Sequence, residues 1–159
     1  MRDARRCNTF ACLLAIAERK RHAPTDAHYD NLLCADGKVS GFLDFEFCAT
    51  DFAAMELAIS LSKYVGEPDP MPYLQDFING FAEHGQLTVD EMEAIPALIN
   101  LRVLSNVVYF VGRALAGEDD IKSLTSRIES YAARVRFINA NGHLIVDALK
   151  KAMLAPAAR

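Results

Sequence analysis

A chain of 159 residues, 52% of them hydrophobic, forms one domain with enough apolar side chain to bury a sizeable core. Its formal net charge of −4 and pI of about 5.5 give no electrostatic reason to expect nucleic acid or an anionic membrane as partner. No uninterrupted apolar run approaches the roughly 20 residues that span a bilayer.

Four cysteines, Cys7, Cys12, Cys34 and Cys48, show no C-x-x-C spacing and read as reduced core thiols of a cytoplasmic protein. The start, "MRDARRCNTFACLLAIA", has a basic beginning, a short apolar run and Ala15-Ile16-Ala17, the outline of a signal peptide. The run is short and broken by small residues, so an amphipathic or buried helix over 8–20 is the expected reading. The basic run Arg19-Lys20-Arg21-His22 would then be its solvated end, and Pro24 turns the chain out of helical geometry.

Two short strands follow, "NLLC" and "VSGFLDF", around the hairpin signal Asp36-Gly37. Imperfect alternation of Val39, Phe42, Leu43 and Phe45 predicts one strand buried on both faces. After Thr50 the pattern is helical to the end. Asp51 is placed to cap the core helix "FAAMELAISLSKYV". A second helix, "MPYLQDFINGFAEHG", carries Tyr73, Phe77 and Phe81 at four-residue spacing, with Gly85 as its C-cap. Thr88 and Glu91 form a capping box opening a long segment that ends at Gly117, with Pro96 predicting a kink or two abutting helices. A further helix is expected over 120–140, a turn at Asn141-Gly142 and a last helix over 143–153. The fold class predicted is α+β, mostly helical, with one small β-hairpin near the start.

The chemistry concentrates in "TDAHYDNLLCADGKVSGFLDFEF". Asp36 is turn chemistry and Asp30 a solvated bystander. Asp44 inside an apolar strand is costly without a partner. Asp26 and Asn31 stand five residues apart, the spacing of the H-R-D-x-x-x-x-N catalytic loop of protein kinases, and Asp44-Phe45-Glu46 stands where a D-F-G carboxylate would. In that arrangement one carboxylate faces a nucleophilic hydroxyl, and an amide oxygen and a second carboxylate hold metal on nucleotide phosphates. His22, His84 and His143 show no ligand spacing and read as surface or capping groups. Met55, Met71, Met92 and Met153 read as core filler.

The stretch Thr25-Asp26-Ala27-His28-Tyr29-Asp30-Asn31-Leu32-Leu33, then Asp36-Gly37, then Gly41-Phe42-Leu43-Asp44-Phe45 resembles the aminoglycoside phosphotransferase and homoserine kinase-like family of small-molecule kinases. Glu46, Asp51 and Glu56-Leu57-Ala58 continue the family pattern in order. The resemblance implies the C-terminal lobe of a protein-kinase-like fold over 25–159. It implies Asp26 as the group that takes the substrate hydroxyl's proton, Asn31 and Asp44 as Mg²⁺ ligands, and His28 and Asp51 as organisers of the loop. ATP and Mg²⁺ are the implied cofactors and a small-molecule hydroxyl compound the implied substrate. Asp76, Glu83, Glu91 and Glu93 are candidates by type for reading an amine-bearing acceptor.

The same resemblance implies a glycine-rich loop and a phosphate-pairing lysine upstream. The 25 residues before Asp26 contain no glycine and one lysine, Lys20, and Pro24 stands in place of the family's first His. Residues 1–24 are therefore expected to be an atypical helix outside the family pattern, and the chain a truncated form with weak or no activity alone. Two other readings stay open. One is a non-catalytic remnant that binds a ligand or forms a homodimer through the surface an N-terminal lobe would cover. The other is a metal-dependent hydrolase using Asp26, His28 and Asp44.

Overall fold

The computed structural model describes residues 20–24, 31–44 and 48–154. Four strands come first: β1 (Lys20–Pro24), β2 (Leu32–Ala35), β3 (Lys38–Phe42) and β4 (Cys48–Phe52). Four helices follow: α1 (Ala53–Tyr64), α2 (Met71–Ala82), α3 (Val89–Leu115) and α4 (Ile121–Leu154). The fold is mostly helical with small antiparallel strand pairs, the α+β class expected.

The strands form two separate antiparallel pairs. β2 and β3 make the predicted hairpin, turning at Asp36 (φ 51°) and Gly37 (φ 72°). Two successive left-handed residues define the turn whose twist suits a two-residue hairpin, which is why Asp-Gly marks it in sequence. The second pair, β1 with β4, was not anticipated. Lys20 lies opposite Phe52 and Pro24 opposite Cys48. Lys20, Arg21 and His22 thus belong to a strand rather than to a helix end; the rest of the 8–20 helix lies outside the described residues. Backbone pairing with a segment some 28 residues away outweighs the local preference of a basic run, a non-local effect that no window of sequence reports.

Two further expectations about this end are corrected. Neither hairpin strand is buried on both faces: Leu33, Val39, Phe42 and Leu43 are each about half exposed. Cys34 is an exposed free thiol, not a core one. A two-stranded hairpin has no second layer of its own to cover its apolar side chains.

The core lies among the helices. α1 is buried nearly all round, with Ala54, Leu57, Ala58 and Leu61 fully enclosed. Small residues alternating with leucine let it run between its neighbours, and it packs chiefly on α3 and on the β1–β4 pair. Asp51 does not cap it. Asp51 is the penultimate residue of β4, its Oδ1 accepting from the next backbone N–H, Phe52, at 2.7 Å, and Phe52 occupies the cap position. At the other end Arg134 of α4 donates from Nη1 to the Ser62 carbonyl (3.1 Å), and its guanidinium lies so close to Gly66 that a side chain there would collide with it.

α2 buries Leu74 and Ile78. Its aromatic row sits at the margin, where Tyr64 packs against Tyr73 and Phe77. The helix ends at Ala82. Its C-cap is Glu83 rather than Gly85, whose N–H donates back to the Phe81 carbonyl (2.7 Å), and a Cβ at Gly85 would push the Phe81 ring aside.

α3 opens on the predicted capping box, with Glu91 N–H donating to Thr88 Oγ1 (3.2 Å) and Thr88 N–H to Glu91 Oε2 (2.7 Å). It closes on Gly117 (φ 75°), whose N–H donates to Ala114 while Glu118 N–H donates to Arg113, the paired bonds of a Schellman ending. Between them α3 is one continuous helix through Pro96. α4 is also continuous, so Asn141-Gly142 is not a turn. The physical reason is shared. Gly142 is buried against the Pro96 ring, where an added Cβ would lie 3.0 Å from the proline Cβ, and Asn141 spends its amide on the Phe137 carbonyl one turn back. The glycine marks a close helix crossing, and tertiary contact overrides the Asn-Gly turn preference. Glu93–Lys150 (2.8 Å) and Asn100–Asn139 (3.1 Å) complete the antiparallel α3–α4 contact.

Met92 is fully buried, and Met55, Met71 and Met153 line the core as filler. By length and composition α3 also passes as a bilayer span, although charged residues interrupt its apolar run; 28% of its most apolar stretch is buried.

Candidate functional site

The hairpin end holds the residues that carry chemistry. Asp26 and His28 lie outside the described residues. Asn31 and Asp44 are described, and the backbone brings them together. Asn31 is the residue before β2, and Asp44 lies two beyond the end of β3. The Asn31 carbonyl accepts a hydrogen bond from Leu43 N–H at 2.8 Å, continuing the hairpin ladder one step past Leu32–Phe42. Residues separated by a dozen positions therefore sit across one ladder step, with Asp44 immediately beyond it.

Asp44 has φ 61°, a left-handed backbone that few residues other than glycine adopt. Aspartate and asparagine tolerate this region best, and strained backbone of this kind collects at sites where a side chain must be aimed. The burial argument of the sequence needs revision: Asp44 is exposed, so the groups around it are not demanded by desolvation. Asn31 is half-buried at the hairpin base. An amide oxygen and a carboxylate on neighbouring backbone positions are hard oxygen donors, a chemistry that fits Mg²⁺ and suits zinc or copper poorly.

Asp51 stands in β4 opposite Arg21, bound to its own strand end through Phe52 N–H. The β1–β4 ladder ends at Pro24–Cys48, bracketing the segment 25–47 that contains Asp26, His28, Asn31 and Asp44, with Asp51 in the bracket itself. This bracket is the structural feature that sequence reasoning missed. The only local hint was that Cys48-Ala49-Thr50 is a plausible strand directly before a helix.

Of the acidic residues considered for an acceptor, two are committed elsewhere. Glu91 closes the capping box and Glu93 pairs with Lys150. Asp76 and Glu83 remain exposed. His84 is exposed beyond the end of α2 and His143 is exposed on α4. Among the described residues no three His, Cys, Asp or Glu groups converge as a metal cluster.

Comparison with known proteins converges on the same stretch. The sequence profile of the phosphotransferase enzyme family (APH) matches residues 9–95, from upstream of β1 into the start of α3. A homoserine kinase of Acidiphilium cryptum (strain JF-5) is 32% identical over 80 residues, 48% of this chain and 25% of that protein. A homoserine kinase of Sinorhizobium medicae (strain WSM419) is 32% identical over 87 residues, 53% of this chain and 26% of that protein. One of Rhodopseudomonas palustris (strain BisA53) is 33% identical over 76 residues, 46% and 23% respectively. The chain thus spans about a quarter of the length of the curated relatives it matches. No solved structure matches it.

Proposed function

Because the chain belongs to the phosphotransferase enzyme family, we propose that its strand end is the catalytic-loop and metal-binding half of a kinase that moves phosphate from ATP to a small-molecule hydroxyl. The observation that carries this reading is the Asn31–Leu43 ladder bond set beside the left-handed Asp44. It supports Asn31 and Asp44 as a joint pair of oxygen ligands for Mg²⁺. The ion, when bound, neutralises charge on the nucleotide phosphates.

The chain's own residues take the other roles. Asp26 accepts the proton of the acceptor hydroxyl, and its position two residues after Pro24, which is anchored opposite Cys48, supports that assignment. His28 and Asp51 hold the loop. The helical body is the lower lobe of a kinase-like fold, and it works in the cytoplasm. Homoserine is the first acceptor to test, since the relatives are homoserine kinases. Asp76 and Glu83 are the acidic side chains left to meet an amine-bearing acceptor.

These 159 residues hold no glycine before Gly37, so they supply no glycine-rich loop of their own to the phosphates. MgATP then has mainly a metal-mediated foothold, and turnover by this chain alone is weak or nil. The half-exposed Leu33, Val39, Phe42 and Leu43 on the hairpin favour completion of the site by a further lobe or chain.

Calorimetric titration of MgATP into the chain and into Asp44→Ala tests the reading. We expect weak binding that requires Mg²⁺ and disappears in the variant. Equal absence of binding in both, or binding indifferent to Asp44, would remove the metal-ligand assignment. ATP-dependent phosphorylation of homoserine at an ordinary enzymatic rate would overturn the expectation of weak activity while sustaining the family chemistry.

A further inference from the structure

The second half of α3 presents an apolar face that its own fold does not cover. Leu101 (53% exposed), Leu104 (54%), Val108 (72%) and Leu115 (85%) project from it, and Val111 lies on the same line. With Ala97 they fall at 97, 101, 104, 108, 111 and 115, alternating steps of four and three. That is the a/d seam of a coiled coil, sustained over almost three heptads. It is a different face from the one that meets α1 and α4, which carries Leu98, Ile99 and Val103.

The residues flanking the seam that are not sealed in the core, Asn100, Ser105, Val107, Gly112 and Ala114, are all uncharged. In a two-helix seam these flanks face their counterparts and set partner choice through charge. A neutral flank on one helix asks for a neutral flank on the other, and this helix itself supplies one. Serine, glycine and alanine there also permit close approach. Leu101, Leu104, Val108 and Leu115 are each more than half exposed along the seam, and Ile128 of α4 extends the apolar face beside Leu104. Beside Leu104 the face continues into an apolar groove of about 310 Å³ between α3 and α4, floored by Val107, Tyr131 and Val135.

We propose that this face joins two copies of the chain as an antiparallel α3–α3′ pair about a two-fold axis near residue 106. Orientation follows from charge. Glu118, Asp119 and Asp120 crowd the C-terminal end of α3. A parallel pair would set the two acidic loops and the two negative helix ends side by side, whereas an antiparallel pair sends them to opposite ends. In that register Leu104 meets Val108 of the second copy, Leu101 meets Val111 and Leu115 meets Ala97.

Sedimentation of the full chain between 1 and about 200 µM tests this. The expected result is a reversible dimer. The double variant Leu104→Glu with Val108→Glu should weaken association at least 100-fold and leave helical circular dichroism unchanged, while the control Gln86→Glu on an exposed loop leaves association intact. A nitroxide placed at position 118 should read about 36 Å to its counterpart, two twelve-residue arms at 1.5 Å each. A monomer throughout the range, a dimer that survives the glutamates, a spin distance under about 20 Å, or flotation of the monomeric chain with neutral phosphatidylcholine vesicles would each overturn the proposal. None of these outcomes depends on nucleotide binding.

Discussion

The strand end and the helical body solve opposite problems. In the body, side chains such as Leu57, Ile78, Ile95 and Leu149 are sealed from water, and helix ends are finished with a capping box and a Schellman closure. At the strand end the large apolar side chains stand half exposed, two aspartates hold left-handed backbone, and two-stranded ladders do the organising. The difference teaches where stability and chemistry reside. Burial holds the molecule together on one side, and that rigid support allows strain and unburied polarity to persist on the other.

The largest effect should come from the body. Leu57→Ala, at the centre of α1, is expected to cost about 2–5 kcal/mol in chemical denaturation, because a fully enclosed side chain leaves a cavity. A loss under about 1 kcal/mol would mean that α1 is not the pivot of the core. Next is Gly142→Leu, which forces side-chain volume onto the Pro96 ring and should cost about 1–3 kcal/mol by thermal melting, with Gly142→Ala milder. Thr88→Ala removes the acceptor of the capping box and should cost about 1 kcal/mol.

The strand end is probed by a pair of changes at one position. Asp44→Ala and Asp44→Gly should both lose Mg²⁺-dependent nucleotide binding, but the glycine variant should be the more stable by up to about 1 kcal/mol, since alanine carries the left-handed penalty and glycine does not. Equal stabilities would show that the φ of 61° is not a strain. The smallest effect concerns acid. Hydrogen bonding from Arg113, foremost, holds the Asp119 carboxyl below the usual carboxylate range, and bonds from Ser123 do the same for Asp120. A depressed folded pKa stabilises above the unfolded value and that contribution disappears as pH falls through the folded one. Asp120 is exposed and Asp119 partly so, and acidification below about pH 4 should therefore loosen the α3–α4 loop slightly, read as faster amide exchange at 117–121, before the bundle melts.

Much of this was legible in the residues. The Asp36-Gly37 turn, the Thr88–Glu91 box and Gly117 follow from local backbone chemistry, which a short window contains. The five-residue spacing of Asp26 and Asn31, with Asp44 a hairpin away, pointed to the family before any fold was known. What escaped was non-local. Lys20–Pro24 is a strand because Cys48–Phe52 pairs with it, and Asn141-Gly142 stays helical because Pro96 lies against it. In both cases the deciding partner is more than 20 residues away in sequence. Asp44 departs from its expected burial for another reason. Its apolar neighbours implied burial, but the hairpin has only one layer.

The hairpin carries one irregularity with a consequence for its history. Pairing steps from Leu33–Gly41 to Cys34–Val39, leaving Ser40 as an extra residue on β3. Between Ser40 and the tip, length is cheap: insertions at Asp36-Gly37 extend an exposed turn and leave the base in place. Below Ser40 length is not free, because losing one residue would rotate Gly41 through Asp44 by half a pleat and swap the faces of the strand. Natural variants should therefore lengthen and shorten at the tip, while the count from Gly41 to Asp44 stays constant.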